Sequence, residues 1–196
     1  MKQKFYAVRN GHKIGVFDTW DECKASVNGF SGAEYKSFKT YEEAAAFVKG
    51  ESIGADSHDG VSAYVDGSFN VNTNVFACGV VMLVNGEEIT FNQAYDDAEL
   101  AKMRNVAGEI CGSILAMRYC IKNSIDTLHL YYDYEGIEKW CTGVWKTNKP
   151  GTQRYKEFYD SIKGALTVVF HKVKGHSGNK YNDMADALAK DAAKIE

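Results

Sequence analysis

An eleven-residue stretch with almost no large apolar side chain, Gly50–Gly60 (GESIGADSHDG), divides this chain of 196 residues into two pieces. Rich in Gly, Ser and Asp, it has the composition of a flexible connector. The division predicts a small domain over residues 1–50, a linker over 51–60 and a larger domain over 61–196. About fifty residues bury only a small core, which suits a binding module better than an enzyme.

Within the first piece, FYAV and KIGVF read as short strands joined through Arg9-Asn10-Gly11-His12, where Asn-Gly is a strong hairpin signal. Thr19-Trp20-Asp21-Glu22 and Thr40-Tyr41-Glu42-Glu43 each fit a capping box and predict two helix starts, with the strand Glu34–Phe38 between them. The second piece opens with a strand at Val61–Val65 ending at Asp66, then a hairpin of Ala77–Val84 and Glu88–Tyr95 around Asn85-Gly86. A long helix near Asn105–Asn123 follows from Val106, Ile110, Ile114, Met117 and Ile121 at three- and four-residue steps. Next come a strand at Thr127–Tyr132, helices around Gly136–Trp140 and Gln153–Ile162, a strand at Leu166–Val173 and a last helix over Asn182–Ala193. Strands alternating with helices after an opening meander imply an α/β domain with a mixed sheet.

Composition removes several classes. With 45% apolar and 25% charged residues the chain is globular rather than disordered or fibrous. No apolar run approaches the roughly 18–20 residues of a membrane span, and MKQKFYAVRN carries no apolar signal core. Five cysteines without a C-x-x-C pair read as reduced thiols. These features predict a cytoplasmic protein without a membrane partner; a monomer is the default expectation, though nothing in the sequence fixes the oligomeric state. The net charge of −3 conceals an asymmetry: residues 1–50 hold eight Lys/Arg against six Asp/Glu, and residues 51–196 hold fifteen against twenty.

Four carboxylates stand out by position. Asp66 and Asp133 end two strands, and adjacent strand ends of an open α/β sheet are where ligands bind. Glu109 lies in the first turns of the long helix, and Asp186 in the last helix, after Lys174-Gly175-His176-Ser177-Gly178. Carboxylates crowded into one site raise each other's pKa unless cations sit between them, and hard divalent ions with oxygen ligands are the natural partners. Taken singly, each has a bland reading as a turn, cap or solvated residue. Their order and spacing carry more.

Residues 61–195 resemble a type 1 ribonuclease H domain. The resemblance rests on Asp66-Gly67-Ser68 after a strand, Asn105-x-x-x-Glu109 opening a long helix, Asp133 after a strand, His176 followed at +6 by Asn182 and at +10 by Asp186, and Trp145-Lys146-Thr147. It implies a five-stranded mixed sheet flanked by helices. It also implies endonucleolytic hydrolysis of the RNA strand of RNA/DNA hybrids by a two-metal mechanism, giving 3′-hydroxyl and 5′-phosphate ends. Two Mg²⁺ ions, or Mn²⁺ in their place, would be held by Asp66, Glu109, Asp133 and Asp186, with Asp66 bridging. His176 would assist proton movement or product release. Sensing of the RNA 2′-hydroxyl would fall to Glu109, Asn105, Glu135 and one Asn of the 70–74 loop, with Asn72 favoured and Asn70 and Asn74 open. Asp183, one helical turn before Asp186, reads as a surface residue or as one that supports the ligands from behind.

Residues 4–48 resemble the hybrid-binding domain at the N-terminus of many type 1 ribonucleases H, through Phe5-Tyr6-Ala7-Val8, Gly15-Val16-Phe17, Thr19-Trp20 and Tyr35-Lys36-x-Phe38. That likeness implies a small α+β domain, a three-stranded antiparallel sheet with two helices. Tyr6, Trp20, Tyr35 and Lys36 would contact the duplex. The family commonly has two adjacent lysines where this chain has Lys36-Ser37, which implies weaker, less salt-sensitive binding. Two rival readings remain: a related nuclease acting on DNA or double-stranded RNA, and a hybrid-binding protein without cleavage.

Overall fold

The structure, a computed structural model, describes residues 4–38, 41–49, 60–174 and 179–195. The predicted linker apart from Gly60, the Thr40 cap and the His176 loop lie outside the described residues. Two compact units emerge, one within Met1–Asp56 and one within Ser57–Glu196.

The first unit is a three-stranded antiparallel sheet in the order β2-β1-β3, built from β1 (Phe5–Asn10), β2 (Gly15–Phe17) and β3 (Glu34–Phe38), with helices α1 (Trp20–Val27) and α2 (Tyr41–Lys49). Thr19 caps α1 by accepting from the Glu22 backbone N–H at 3.3 Å, as the Thr-x-x-Glu spacing predicts. Alternation along the strands splits the apolar residues between two small clusters. Ala7 and Phe38 pack with Ala44 of α2, whereas Val8 and Phe17 pack with Cys23 of α1.

The second unit is a five-stranded mixed sheet in the order β6-β5-β4-β7-β8. Its strands are β4 (Val61–Asn70), β5 (Val75–Val84), β6 (Glu87–Tyr95), β7 (Thr127–Tyr132) and β8 (Thr167–Lys172); its helices are α3 (Asn105–Lys122), α4 (Gly136–Cys141), α5 (Pro150–Ile162) and α6 (Lys180–Ala192). Asn85 and Gly86 both take positive φ, 52° and 84°, which is what a two-residue hairpin turn of matching twist requires. The main core joins α3 and α5 to one face of the sheet through Met117, Cys120, Leu128, Leu130, Tyr132 and Tyr155. On the other face, α6 covers Tyr64, Val81 and Tyr131 with Tyr181 and Ala185. No helix among the described residues is long and apolar enough to cross a membrane.

Several element ends differ from the sequence reading, most by one or two residues, and three of the differences have a physical reason. Helix α5 starts at Pro150, because proline suits the first helical position, where its missing N–H would be unpaired anyway. Helix α6 starts at Lys180, because the Asn179 side chain accepts from the backbone N–H groups of Tyr181 and Asn182. Most consequential, β4 does not end at Asp66. It stays paired with β5 as far as Asn70↔Val75, whereas its parallel pairing with β7 stops at Tyr64↔Tyr131. Asp66 therefore lies within a strand on one side and beyond the end of pairing on the other.

Candidate active site

The site forms where β4 and β7 part. Asp133 follows the last residue of β7, and Asp66 sits two residues past the last β4–β7 pair, so the divergence leaves the two side chains in one cleft. The third acid comes from α3, which is pressed unusually close to the sheet. A Cβ added at Gly67 would lie 2.0 Å from the Asn105 carbonyl oxygen, and one at Gly108 would lie 2.1 Å from that of Ala77. These two glycines let helix and strand backbones touch. Glu109, next to Gly108, is thereby delivered into the cleft.

Asp66, Glu109 and Asp133 each bring a carboxylate oxygen within 4.8 Å of the others. Glu109 is 1% exposed, and its Oε2 is buried without a hydrogen-bond partner. Burial, reinforced by the negative charges of Asp133 and Asp66, pushes its pKa up to about 9, although the Tyr134 backbone N–H pulls the other way. An unmatched buried acceptor beside two further carboxylates is a donor set that a cation would complete. Carboxylate oxygens are hard donors, so a divalent ion such as Mg²⁺ or Mn²⁺ fits the donor set.

Asp186 is not part of this trio. It lines the same cavity of about 360 Å³ as Asp66 and Asp133, but it is engaged by Lys190, one helical turn on, at 2.7 Å. Asn105 and Arg104 line that cavity too. Arg104 was not singled out by sequence reasoning; it holds φ 53° and ψ −134° at the entry to α3, a conformation L-residues seldom adopt.

The loop asparagines separate by what they touch. The Asn70 side chain donates to the carbonyls of Ala193 and Lys194 at 3.0 Å and so ties the hairpin to the end of α6. Asn74 supplies a positive φ of 56°. Asn72 is an exposed residue of the turn, and its backbone N–H donates to the Asn70 side chain. Glu135 is exposed but engaged, being paired with both Lys139 and Lys172.

In the N-terminal unit, three of the four predicted contact residues come together. Trp20 stands between Tyr6 and Tyr35, with ring centroids 5.7 and 5.9 Å away. Trp20 and Tyr35 are 44% and 47% exposed, too open for core residues, whereas Tyr6 also packs on the Val8 cluster. Lys36 is not with them. It pairs with Ala7 and leans over Phe38, on the opposite face of β3 from Tyr35. Ser37 shares the aromatic face.

Comparison with known proteins accords with both halves of this description. Residues 4–48 match the model of the Ribonuclease H1 N-terminal domain, and residues 58–194 match that of RNase H. Ribonuclease H1 of Homo sapiens is 27% identical over 97% of this chain and 89% of its own length. Ribonuclease H of Pseudoalteromonas translucida is 33% identical over 68% of this chain and 89% of its own. Among solved structures, RNase H1 of Halobacterium salinarum superposes with a TM-score of 0.57 at 26% identity, covering 68% of this chain and 97% of that one. With most of its length matched by the RNase H model, the chain belongs to the ribonuclease H family and is an endoribonuclease of the hydrolase class.

Proposed function

We propose that the chain hydrolyses the RNA strand of RNA/DNA hybrids, with two divalent cations at the carboxylate cleft, leaving 3′-hydroxyl and 5′-phosphate ends. The observation that carries this reading is the trio of Asp66, Glu109 and Asp133 around a buried, unpartnered oxygen. When bound, such cations ready a water for attack and stabilise the leaving oxygen. Asp66, Asp133 and Glu109, whose carboxylate oxygens lie within 4.8 Å of one another, would hold them, with Asp66 as the ligand shared between the two. Asp186, which lines the same cavity, would complete the set once released from Lys190. Burial holds the Glu109 carboxyl toward its protonated form, so it would have to ionise to serve as a metal ligand. Asn105, Glu109 and Asn72 supply polar groups for the ribose hydroxyl of the RNA strand, and His176 serves proton movement or product release.

The N-terminal unit supplies grip. Exposed Trp20 and Tyr35 offer faces on which bases and sugars stack without regard to sequence, with Lys36 reaching a phosphate from the edge strand β3. The separate unit at residues 1–50, joined through 51–60 to the enzyme at 61–196, would keep the substrate near the cleft after each cut. A reducing, cytoplasmic address fits five free thiols, and the chain is taken to act as a monomer.

The test is cleavage of an end-labelled hybrid, a DNA duplex and an RNA duplex with and without Mg²⁺, by wild type beside Asp133→Asn. Mg²⁺-dependent cutting of the hybrid's RNA strand alone, lost in the variant, is the expected result. Hybrid bound but never cut would leave a binding protein instead.

A further inference from the structure

Glu135 stands two residues past Asp133, where β7 gives way to α4. Both of its carboxylate oxygens are engaged by lysines from different elements. Lys139, one turn along α4, pairs with Oε2, and Lys172, the last residue of β8, pairs with Oε1 at 2.5 Å. The three side chains are 40%, 32% and 49% exposed, so the group is open to a ligand. Lys139 also lies 4.9 Å over the ring of the partly exposed Trp145.

As a device for stability this arrangement offers little, since exposed ion pairs contribute about 0–1 kcal/mol each. As a reader of a ribose hydroxyl, Glu135 would have to present an oxygen that two ammonium groups already surround. What the arrangement does provide is paired positive charge. Each ammonium has three donors and spends one on Glu135, so two remain on each, and the three groups together carry one net positive charge. Without the shared carboxylate, two like charges would swing apart. Beside it, they face solvent at the end of the strand pair that also presents Asp133.

We propose that Glu135 is a positioning residue that holds Lys139 and Lys172 as a clamp for a backbone phosphate of the bound strand, next to the cleavage cleft. The clamp rests on the hybrid-cleaving reading above and adds a substrate contact to it. The acidic character of the larger domain makes such a contact valuable, because a locally positive point is needed where polyanionic substrate approaches carboxylates.

The experiment compares wild type, Lys172→Gln, Glu135→Asp and the double variant in the full-length chain. Glu135→Asp keeps the charge but is one methylene too short to reach both lysines. Steady-state cleavage with Mg²⁺ is measured across a salt series, with equilibrium binding of a labelled hybrid in Ca²⁺ as a readout free of catalysis. Lys172→Gln is expected to raise KM and Kd roughly three- to tenfold with kcat within about twofold, and to reduce the log–log salt slope by about 0.9. Glu135→Asp is expected to raise KM similarly in the wild-type background and to add almost nothing in Lys172→Gln, because both act through one contact. Unchanged KM and salt slope in Lys172→Gln, with or without a lower Tm, would overturn the clamp. So would a Glu135→Asp variant that alters the preference for hybrid over DNA duplex at constant salt slope, which is the mark of a hydroxyl reader. A wild type that binds hybrid without cutting it removes the catalytic reading, and the clamp is then decided by Kd and its salt slope.

Discussion

The two units invert each other's use of water. In the N-terminal unit the cores are small and the largest aromatics, Trp20 and Tyr35, stay nearly half exposed. In the C-terminal unit the large aromatics Phe76, Tyr132 and Tyr155 are fully buried, and so is a carboxylic acid, Glu109. One unit leaves apolar surface in water and gains when a ligand covers it. The other withholds an acid from water and gains when positive charge arrives. Binding and chemistry thus draw on opposite departures from ordinary burial, which is a physical reason for housing them in separate units.

The strongest way to break this contrast is to neutralise the buried acid. Glu109→Gln is expected to lower Mg²⁺-dependent cleavage by more than the roughly 10–100-fold that loss of a group supporting a metal ligand costs, measured as initial rate on hybrid. The same variant is expected to stabilise the metal-free protein at neutral and alkaline pH. In wild type the carboxyl moves from an ordinary value of 4.5 to about 9 on folding. A raised pKa gives stability that is fully present below about pH 4.5 and lost as pH climbs toward about 9, with a slope of at most about 1.4 kcal/mol per pH unit. Thermal melts in EDTA should show that decline in wild type and a flatter profile in Glu109→Gln. An equally steep decline in the variant would place the titration elsewhere.

A smaller effect comes from the packing that delivers the acid. Gly108→Ala sets a methyl group against the Ala77 carbonyl and is expected to cost at least the 1–3 kcal/mol typical of overpacking, read as a lower urea midpoint. On the binding side, Trp20→Ala removes one stacking face and should weaken hybrid binding by about 1–3 kcal/mol while leaving kcat at saturation unchanged. A drop in kcat would mean the two units are less separable than their chemistry suggests. The mildest change sharpens the contrast: Ser37→Lys puts a cation on the aromatic face that Lys36 does not share, and should tighten binding a few-fold and steepen the salt slope by about 0.9.

Much of the site was legible in the chain because its information is local. Asp133 follows a strand whose pattern is plain, and Glu109 sits at a fixed offset from the start of a strongly periodic helix. The asparagine that caps α6 was also local, though masked by the busier motif around it. What escaped depends on partners distant in sequence. Asp66 is within a strand on one side only, because β5 and β7 release β4 at different residues. Lys172 meets Glu135 across 37 residues, through the parallel pairing of β7 with β8. Lys36 and Ser37 differ by one step along β3, yet that step moves a charge from one face to the other.

The contact between Gly67 and α3 has one more consequence. An acid positioned only through packed side chains shifts when one of them settles into another rotamer. Here the separation of helix and strand is set by backbone atoms in direct touch, which neither compress nor rotate. Adaptation to heat, cold or salt can therefore repack the core around Met117 and Tyr155 while the spacing between Asp66 and Glu109 holds, so thermal history should be written in the core and not in the cleft.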